Sequence, residues 1–363
     1  MGGNVKRDGR TADDFRVLVT DPGVCEPMTS GPTVSVILPT RDEAANIRDC
    51  LDALIAQDYP NVLEILVVDG DSADRTRAIA LRVGGRVRVV DNPAVTAAAA
   101  MNLGLQSARG EIVVRADAHT VYATDYIRRC VDLLADPTVT VAGGPMRPVG
   151  IGGFGRAVAA VTSSRAGIGP GAFHYATERQ DVDTVYLGAY RQIEIDALGG
   201  YDTDHLQWAA EDHELNFRVR QAGGRVVVDP AIRSYYFPRE TPGSLWRQYR
   251  NYGVGKVSTL VKHRRLPTWR PLAPAALVAG TVAVAGIAIA LRRPALATAP
   301  LAAYGLGAGV VALRLGADPG VAPHRAFGAL VICHWAYGCG FWSGARRVVT
   351  RRPFDRRPRG ARV

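Results

Sequence analysis

Two acidic residues at the start of a predicted helix are the strongest candidates for proton transfer. Glu211 and Asp212 open the segment 211–222, which is predicted to be helical. A carboxylate at this position can act as a general base that takes a proton from an attacking hydroxyl group. A purely structural role is the alternative, because the helix dipole favours acidic side chains in the first turn.

Asp117 and His119 form a second candidate group, directly after a predicted strand over 111–114. In extended backbone, side chains two positions apart point the same way, so these two can share one divalent cation. A carboxylate with an imidazole suits Mn²⁺ or Mg²⁺ that bridges a diphosphate. A polar loop with an incidental histidine is the alternative.

Two further segments carry polar side chains suited to a nucleotide. Asp69, Asp71 and Asp74 follow a predicted strand, and their carboxylates can accept hydrogen bonds from a base or a ribose. Because Asp, Gly and Ser are turn formers, a solvated turn is the alternative. The segment 247–252 contains two arginines, which suit contact with a phosphate. Its alternative role is anchoring at a membrane interface by Arg and Tyr.

The first half of the chain alternates apolar segments with segments of helical spacing. This alternation is typical of a parallel sheet with helices on both faces, in which ligands bind at the carboxyl ends of the strands. The polar residues 39–43, 69–74 and 115–119 follow such strands and are therefore the predicted site. The strands are predicted at 34–38, 63–68, 87–90, 111–114, 185–187 and 226–228, and the helices at 42–57, 73–83, 95–108 and 211–222.

The charge of the chain indicates a membrane surface more than a nucleic acid. The formal net charge is +10, and Lys and Arg cluster at 262–270 and 346–362, beside long apolar stretches. This distribution is typical of segments that face anionic lipid in the cytoplasm. The five scattered cysteines form no CxxC pair, which argues against a disulfide framework or a zinc site and fits a reducing compartment. The N-terminal residues contain no apolar segment of the kind that a secretory signal requires, so no such signal is predicted.

Three uncharged stretches follow at 271–291, 294–313 and 326–345. Each has about the 20 residues that a helix needs to cross a bilayer. The basic segments before the first stretch and after the third are both predicted to be cytoplasmic, which three crossings would not allow. Two crossings and one segment in the interface satisfy both charges.

The motifs up to residue 76 resemble those of the family 2 glycosyltransferases, which have the GT-A fold, and they follow one another in the same order. The segment 36–43 resembles the opening strand and P-x-x-N-E motif of the family, with Asp42 in place of Asn. The segment 67–76 resembles the V-D-x-x-S-x-D-x-T motif, whose first Asp holds the nucleobase. Further along, Asn102 lies in a segment similar to the helix that precedes the metal-binding strand.

The later motifs extend the resemblance to about residue 252. Asp117-Ala-His119 occupies the D-x-D position with His as its last member, and Glu211-Asp212 resembles the E-D motif whose Asp is the inverting base. The segment 247–252 resembles the Q-x-x-R-W motif only loosely, since the Trp is absent. The segments 182–186, 199–202 and 211–218 are similar to the succinoglycan-type, ExoA-like branch of the family.

The resemblance implies a mixed, mostly parallel α/β sheet of Rossmann-like GT-A type flanked by helices, followed by C-terminal membrane helices. The expected organisation is a disordered leader over 1–31, the GT-A domain over 32–262, a membrane-associated helical region over 263–345 and a basic cytoplasmic tail over 346–363. The implied catalytic residues are Asp212 and, as second candidate, Glu211. The residues implied to bind the donor are Pro39, Thr40, Glu43, Asp69, Asp71, Asp74, Asn102, Arg115 and Asp117, and those implied to bind Mn²⁺ or Mg²⁺ are Asp117 and His119. Contact with a phosphate or the acceptor is implied for Arg247, Gln248 and Arg250.

The implied activity is inverting transfer of a sugar from a nucleotide diphosphate sugar, with UDP-hexose as the default, to a polyprenyl-diphosphate-linked saccharide. Such a step belongs to cell-surface polysaccharide assembly, in a multi-pass protein of the cell membrane with its catalytic domain in the cytoplasm. Transfer to a polyprenyl monophosphate or to a small molecule is one alternative. A non-catalytic membrane scaffold is another, and it would be expected to have lost its acidic residues, whereas Asp69, Asp117 and Asp212 are present.

Overall fold

The computed structural model describes residues 31–169, 171–206, 209–265 and 269–350. The predicted leader, apart from residue 31, and the predicted tail after residue 350 lie outside the described residues. The strands are β1 Val34–Thr40, β2 Val62–Asp69, β3 Val87–Asp91, β4 Ile112–Arg115, β5 Thr120–Tyr122, β6 Val139–Gly144, β7 Arg147–Pro148, β8 Gln180–Asp181, β9 Tyr186–Arg191, β10 Arg225–Val228 and β11 Ser234–Tyr236.

Helices account for most of the remaining described chain. They are α1 Ile47–Ile55, α2 Thr76–Val83, α3 Ala97–Ser107, α4 Tyr126–Leu134, α5 Gly152–Thr162, α6 Arg165–Ile168, α7 Gln192–Ala197, α8 Glu211–Gln221, α9 Pro242–His263, α10 Leu272–Ala290, α11 Ala295–Leu315 and α12 Pro323–Val349.

The main sheet has eight strands in the order β3-β2-β1-β4-β9-β6-β10-β8, and a smaller sheet has the order β5-β11-β7. The four strands predicted in the first half, β1 to β4, run parallel to one another. β9 lies between β4 and β6 and runs antiparallel to both. The sheet is therefore mixed, with a parallel half whose strand ends can bind a ligand.

The burial of strand β1 shows why its apolar residues form a continuous run and do not alternate with polar ones. Val34, Val36 and Leu38 lie in one buried hydrophobic cluster, and Ile37 lies in another. A strand with a core on each face needs apolar side chains at successive positions. The apolar run that predicted β1 therefore reflects burial on both sides of the sheet.

The predicted helix over 42–57 begins five residues later than expected, at Ile47. Asp42 has a positive φ of 55°, and the Glu43 backbone N–H donates to the Thr76 hydroxyl at 2.7 Å. These residues form a loop that is bonded to the loop after β2, so they are not free to join the helix. For the same reason the predicted helix over 73–83 begins at Thr76.

The chain divides into two compact units. The first comprises residues up to Arg147 together with 172–204 and 211–237, and it contains the main sheet. The second comprises 148–171, 205–210 and the residues from Pro238 onward. This division differs from the linear boundary predicted after residue 262, because the whole of α9 belongs to the second unit.

Close helix packing characterises the second unit. A Cβ atom on Gly253 of α9 would lie 2.2 Å from the Tyr337 carbonyl oxygen, and one on Gly340 of α12 would lie 2.1 Å from the Arg250 carbonyl oxygen. Only glycine allows two helix backbones to approach so closely. α9 and α12 therefore form a tight pair.

Two helices of the described chain, α10 and α11, are long and apolar enough to cross a membrane. They have 19 and 21 residues, and little of either is buried within the protein. The third predicted apolar stretch lies in α12, which does not meet this criterion and has a buried face that includes Leu330 and Cys333. Two candidate spans suggest an association with the membrane.

Candidate active site

The carboxyl ends of β1, β2 and β4 meet at one edge of the main sheet. β1 lies between the other two, and Thr40 at its end pairs with Asp69 at the end of β2. Both side chains are buried, and in the described chain Thr40 Oγ1 has no hydrogen-bond partner. The predicted segments 39–43, 69–74 and 115–119 all begin at this edge, so the topology places them as neighbours.

Hydrogen bonds hold the loops after β1 and β2 to each other. The Gly70 N–H donates to the Thr40 carbonyl oxygen at 2.8 Å. Asp74 accepts hydrogen bonds from the backbone N–H groups of Ala44 at 2.9 Å and Thr76 at 2.8 Å. Both oxygens of the Asp74 carboxylate are thus used within the loops, where they fix the position of the neighbouring Glu43.

Asp69 is also fixed locally, through the Ser72 hydroxyl, which donates to its Oδ1 at 2.5 Å. The Ser72 N–H also donates to Asp69 Oδ2 at 3.4 Å, so the Asp69 side chain faces the loop that contains Asp71. Asp71 has a positive φ of 59° and is exposed. Of the three predicted acidic residues after β2, Asp69 and Asp71 keep more hydrogen-bonding capacity for a ligand than Asp74 does.

His119 lies between two carboxylates. Its Nδ1 is 2.7 Å from Asp117 Oδ1 and 3.5 Å from Glu43 Oε1. Burial acts to lower the pKa of His119, but the negative charge of Asp117 and the contact with Glu43 outweigh it and raise the pKa to about 9. Burial acts to raise the pKa of Asp117, and the His119 charge reverses this and lowers it.

The backbone of Asp117 is held by a buried tyrosine. The Asp117 N–H donates to the Tyr122 hydroxyl oxygen at 2.6 Å, and Tyr122 is fully buried. The His119 carbonyl accepts from the Phe237 N–H at 3.1 Å. The two candidate metal ligands therefore project from a rigid turn.

Asp117 and a deprotonated His119 would offer a carboxylate and an imidazole to a divalent cation, which would have to displace the proton that the neighbouring carboxylates hold on His119. His119 Nδ1 is buried and, within the described residues, makes no hydrogen bond of regular geometry to the carboxylates beside it. Among the described residues, no group of three or more His, Cys, Asp or Glu side chains lies close enough together to hold one metal ion. Mg²⁺ at phosphate-binding sites is held by one or two carboxylates and completes its shell with substrate phosphates and water, so two protein ligands are enough.

Arg115 joins the end of β4 to the start of α8. Its Nη1 forms an ion pair with Asp212 Oδ1, and its Nη2 lies 2.9 Å from Glu211 Oε1. Burial acts to lower the pKa of Arg115, but the two carboxylates raise it well above its usual value. The guanidinium thus fixes both candidate base residues, and its predicted contact with the donor stays a prediction.

Asp212 differs from Glu211 in exposure and in its partners. The Asp212 side chain is 28% exposed, against 11% for Glu211. Its Oδ1 also accepts a hydrogen bond from the Tyr201 hydroxyl at 3.2 Å. Burial raises the pKa of Asp212 to about 6, Glu211 adds to this, and Arg115 opposes it. A carboxylate with such a pKa is ionised near neutral pH and basic enough to accept a proton.

Comparison with known proteins identifies the chain. The profile of Glycosyl transferase family 2 matches residues 35–178. The succinoglycan biosynthesis protein ExoA of Rhizobium meliloti (strain 1021) is 32% identical over 320 residues, which cover 85% of this chain and 93% of that protein. The chain is a family 2 glycosyltransferase.

Two further proteins are similar to this glycosyltransferase. A glucuronosyltransferase of Methanococcus voltae, named for a dolichyl N-acetyl-α-D-glucosaminyl phosphate acceptor, is 26% identical over 236 residues, covering 61% of this chain and 72% of that protein. The structure of the mannosyltransferase PcManGT from Pyrobaculum calidifontis, in complex with GDP-Man and Mn²⁺, aligns with a TM-score of 0.56 at 22% identity, over 89% of this chain and 92% of that one. This likeness confirms the predicted GT-A fold.

The remaining predicted site residues are Asn102, which contacts the backbone of Tyr201, and three residues of α9. The Asn102 side chain bonds the backbone of Tyr201, with both contacts at 2.8 Å. Arg247, Gln248 and Arg250 lie on α9, in the second unit, where Arg250 donates to the Ser343 hydroxyl at 3.2 Å. Their predicted contact with a phosphate or the acceptor stays a prediction.

Reasoning from the sequence missed three tyrosines of the site: Tyr122, Tyr190 and Tyr201. Tyr201 lies in the Gly199–Asp202 segment, which resembled the ExoA-like branch but carried no assigned role. Tyr190 lies on β9, of which only the first part was predicted. The order of motifs along the chain was the only signal for Tyr201, since a lone tyrosine is usual in a core.

Proposed function

We propose that this glycosyltransferase moves a hexose from a nucleoside diphosphate sugar to a lipid-linked saccharide at a membrane surface, with inversion at the anomeric carbon. The observation that carries the proposal is the placement of Asp212. It is a partly exposed carboxylate, fixed by Arg115, which lies at the end of the central strand β4. Inversion in a single displacement requires one such base for the acceptor hydroxyl.

In the proposed reaction, Asp212 takes the proton of the acceptor hydroxyl as its oxygen attacks the anomeric carbon. Arg115 keeps the carboxylate in place and balances its charge before the proton arrives. Glu211 is the second candidate for the base. Its lower exposure and its own contact with Arg115 favour a supporting role.

The donor is proposed to bind across the ends of β1, β2 and β4. Asp69, Asp71 and Glu43 offer acceptors for the hydroxyl and N–H groups of the nucleoside, and Asp74 shapes the loops around them. Pro39 and Thr40, at the end of β1, are proposed to contact the donor as well. The GDP-Man complex of the structurally similar mannosyltransferase supports a nucleoside diphosphate sugar, while the base and the sugar are left to experiment.

Asp117 and His119 are proposed to hold Mn²⁺ or Mg²⁺. When bound, the cation would offset the negative charge that develops on the diphosphate leaving group. Glu43, 3.5 Å from His119 Nδ1, is placed to orient the imidazole ring. The Mn²⁺ in the structurally similar mannosyltransferase supports the use of a divalent cation here.

A lipid-linked acceptor is supported by the relatives and by the apolar helices. The relatives are named for succinoglycan biosynthesis and for a dolichyl phosphate-linked sugar. If both α10 and α11 cross the bilayer, α9 and α12 lie on one side of it, which agrees with the basic residues near both. We propose that this side is the cytoplasm, with Arg247, Gln248 and Arg250 of α9 close to lipid or donor phosphates.

Membership of an enzyme family and the retained acidic residues argue against a non-catalytic scaffold. Transfer to a polyprenyl monophosphate or to a small molecule differs from the proposal only in the acceptor. Membranes incubated with radiolabelled donor and then partitioned into organic solvent separate these cases. Label in the organic phase that mild acid releases as an oligosaccharide supports the proposal, whereas release as a monosaccharide or label in the aqueous phase contradicts it.

The donor is tested by thermal-shift measurements of the detergent-solubilised protein with UDP-, GDP- and dTDP-sugars in the presence of Mn²⁺. A ligand that binds only the native state raises the unfolding temperature. We expect one class of nucleotide to do so, and the effect to be lost in Asp69→Asn. A matched control is Asp136→Asn, at an exposed position just before β6 and therefore at the opposite end of the strands from the proposed donor site.

A further inference from the structure

We propose that Tyr201 is a positioning residue for the base: its hydroxyl group holds Asp212 Oδ1, so that Oδ2 is the oxygen that receives the acceptor proton. The inference rests on the proposed function, in which Asp212 is the base. It assigns a role in the reaction to Tyr201, and to Tyr190 behind it. The sequence motifs assign no role to either residue.

The three side chains form a continuous chain of hydrogen bonds. Tyr201 is 3% exposed, and its hydroxyl lies 3.2 Å from Asp212 Oδ1 and 3.1 Å from the hydroxyl of Tyr190. Tyr190 is 1% exposed. An ionised carboxylate only accepts hydrogen bonds, so Tyr201 must donate to Asp212, and Tyr190 then donates to Tyr201. Each donation strengthens the next in a buried setting.

Both contacts of Asp212 fall on one oxygen. Arg115 Nη1 and the Tyr201 hydroxyl meet at Oδ1, and within the described residues no hydrogen bond is made to Oδ2. Two donors on one oxygen fix the plane of the carboxylate and leave the other oxygen available. A general base needs an oxygen within hydrogen-bond reach of the proton, in a fixed orientation.

The segment that carries Tyr201 is itself held from two helices. Asn102 of α3 makes two backbone hydrogen bonds to Tyr201. Arg218 of α8 donates to the carbonyl oxygens of Leu198 and Gly200, each at 2.6 Å, and pairs with the buried Glu214. These contacts hold the backbone on both sides of Tyr201 and so restrict the position of its ring.

The charged and titratable groups that face Asp212 come from four elements. Arg115 comes from the end of β4, Glu211 from α8 itself, Tyr201 from the loop after α7, and Tyr190 from β9 behind Tyr201. Removing the Tyr201 hydroxyl takes away a donor that favours the ionised carboxylate, while Arg115 and Glu211 stay in place. The protonation of Asp212 should then shift to higher pH.

The test is Tyr201→Phe in the full-length protein, with the rate of transfer measured against pH. We expect kcat to fall about ten-fold, the KM for the donor to change less than about two-fold, and the acid limb of the pH profile to move up by about half to one unit. Tyr190→Phe should shift the limb in the same direction by less. Tyr59→Phe is the matched control, because this buried hydroxyl donates to the Pro32 carbonyl oxygen, away from Asp212, and should change none of the three.

The outcomes separate the inference from the proposed function. If Asp212→Asn abolishes transfer while Tyr201→Phe leaves kcat and the acid limb unchanged, the positioning role is overturned and the base assignment stands. If Asp212→Asn transfers sugar at the wild-type rate, the proposed function fails first. Should Tyr201→Phe not fold, Tyr190→Phe decides, because it removes the hydroxyl that donates to Tyr201: an acid limb that moves up supports the inference, and an unmoved limb overturns it.

Discussion

Asn102 holds the backbone of Tyr201 on both sides, with its side-chain nitrogen 2.8 Å from the Tyr201 carbonyl oxygen and its side-chain oxygen 2.8 Å from the Tyr201 nitrogen. This pair joins α3 to the loop that supports the candidate base. The Asn102 amide therefore supports the loop of the candidate base, and its predicted contact with the donor stays a prediction.

The close approach of Asn102 makes Gly200 a sensitive position. Gly200 has a φ of +69°, and a Cβ atom there would lie 2.7 Å from Asn102 Oδ1. We expect Gly200→Ala to lower the free energy of unfolding by about 2–4 kcal/mol, since backbone strain of about 1–2 kcal/mol is joined by the displacement of Asn102. Chemical denaturation followed by circular dichroism measures this.

Gly199→Ala is the matched control for Gly200→Ala. Gly199 also has a positive φ, of 79°, but an added Cβ would meet nothing within 4 Å. It should cost only the backbone strain and leave activity near the wild-type level. Equal losses in the two variants would mean that the contact with Asn102 contributes nothing.

The sequence predicted the parallel half of the sheet well because its inner strands β1, β2 and β4 are almost entirely buried. Val34 to Leu38 is apolar at nearly every position, and the structure places a core on each side of it. The antiparallel strand β9 was not predicted at full length. Its residues Gly188, Ala189 and Tyr190 are small or mixed in character, and its place between β4 and β6 depends on contacts distant in sequence.

The sequence pointed to residues whose type alone carries chemistry, and it did not point to contacts that depend on a distant partner. Asp117, His119 and Asp212 were chosen for their carboxylate or imidazole groups and their positions after a strand or at a helix start. Arg115 and Asn102 were chosen as well, but their partners, Asp212 and Tyr201, are about 100 residues away in the chain. Spacing along the sequence contains no information on such pairs.

The pH dependence of transfer should have an acid limb near pH 6. The pKa of Asp212 is raised to about 6, so the carboxylate loses its basic form as the pH falls through that value and activity is lost with it. The measurement is kcat/KM from about pH 5 to 8, in buffers of constant ionic strength.

Glu211→Gln sharpens the pH experiment because its effect has the opposite sign to that of Tyr201→Phe. The negative charge of Glu211 adds to the raised pKa of Asp212, so its removal should move the acid limb to lower pH. A flat profile over the whole range, or a limb that Glu211→Gln does not move, would argue that another group titrates.

The proposed cation site predicts a change in metal requirement. Asp117→Asn removes the charged ligand, so the Mn²⁺ concentration for half-maximal activity should rise at least about ten-fold, with a smaller rise in His119→Ala. Binding of Mn²⁺ in the presence of UDP or GDP, followed by electron paramagnetic resonance, should weaken in the same order. An Mn²⁺ dependence that both substitutions leave unchanged would exclude these two residues as ligands.

Membrane association should depend on the exposed faces of α10 and α11. Leu306 of α11 is 74% exposed in the folded chain, and a charge there would be costly within a lipid bilayer. We expect Leu306→Glu to reduce the fraction of protein that stays with membranes after alkaline carbonate extraction. Leu81→Glu is the control, since Leu81 is 59% exposed on α2 of the first unit. Equal extraction of the two variants would contradict a membrane role for α11.

The role of Asp212 is tested most directly by Asp212→Asn, with sugar transfer and donor binding measured on the same preparation. The substitution keeps the shape of the side chain and removes its basicity. We expect transfer to fall by at least about a thousand-fold, while the apparent affinity for the donor with Mn²⁺, obtained from the thermal shift, stays within about two-fold of wild type. Transfer at the wild-type rate with donor binding intact would contradict this role of Asp212.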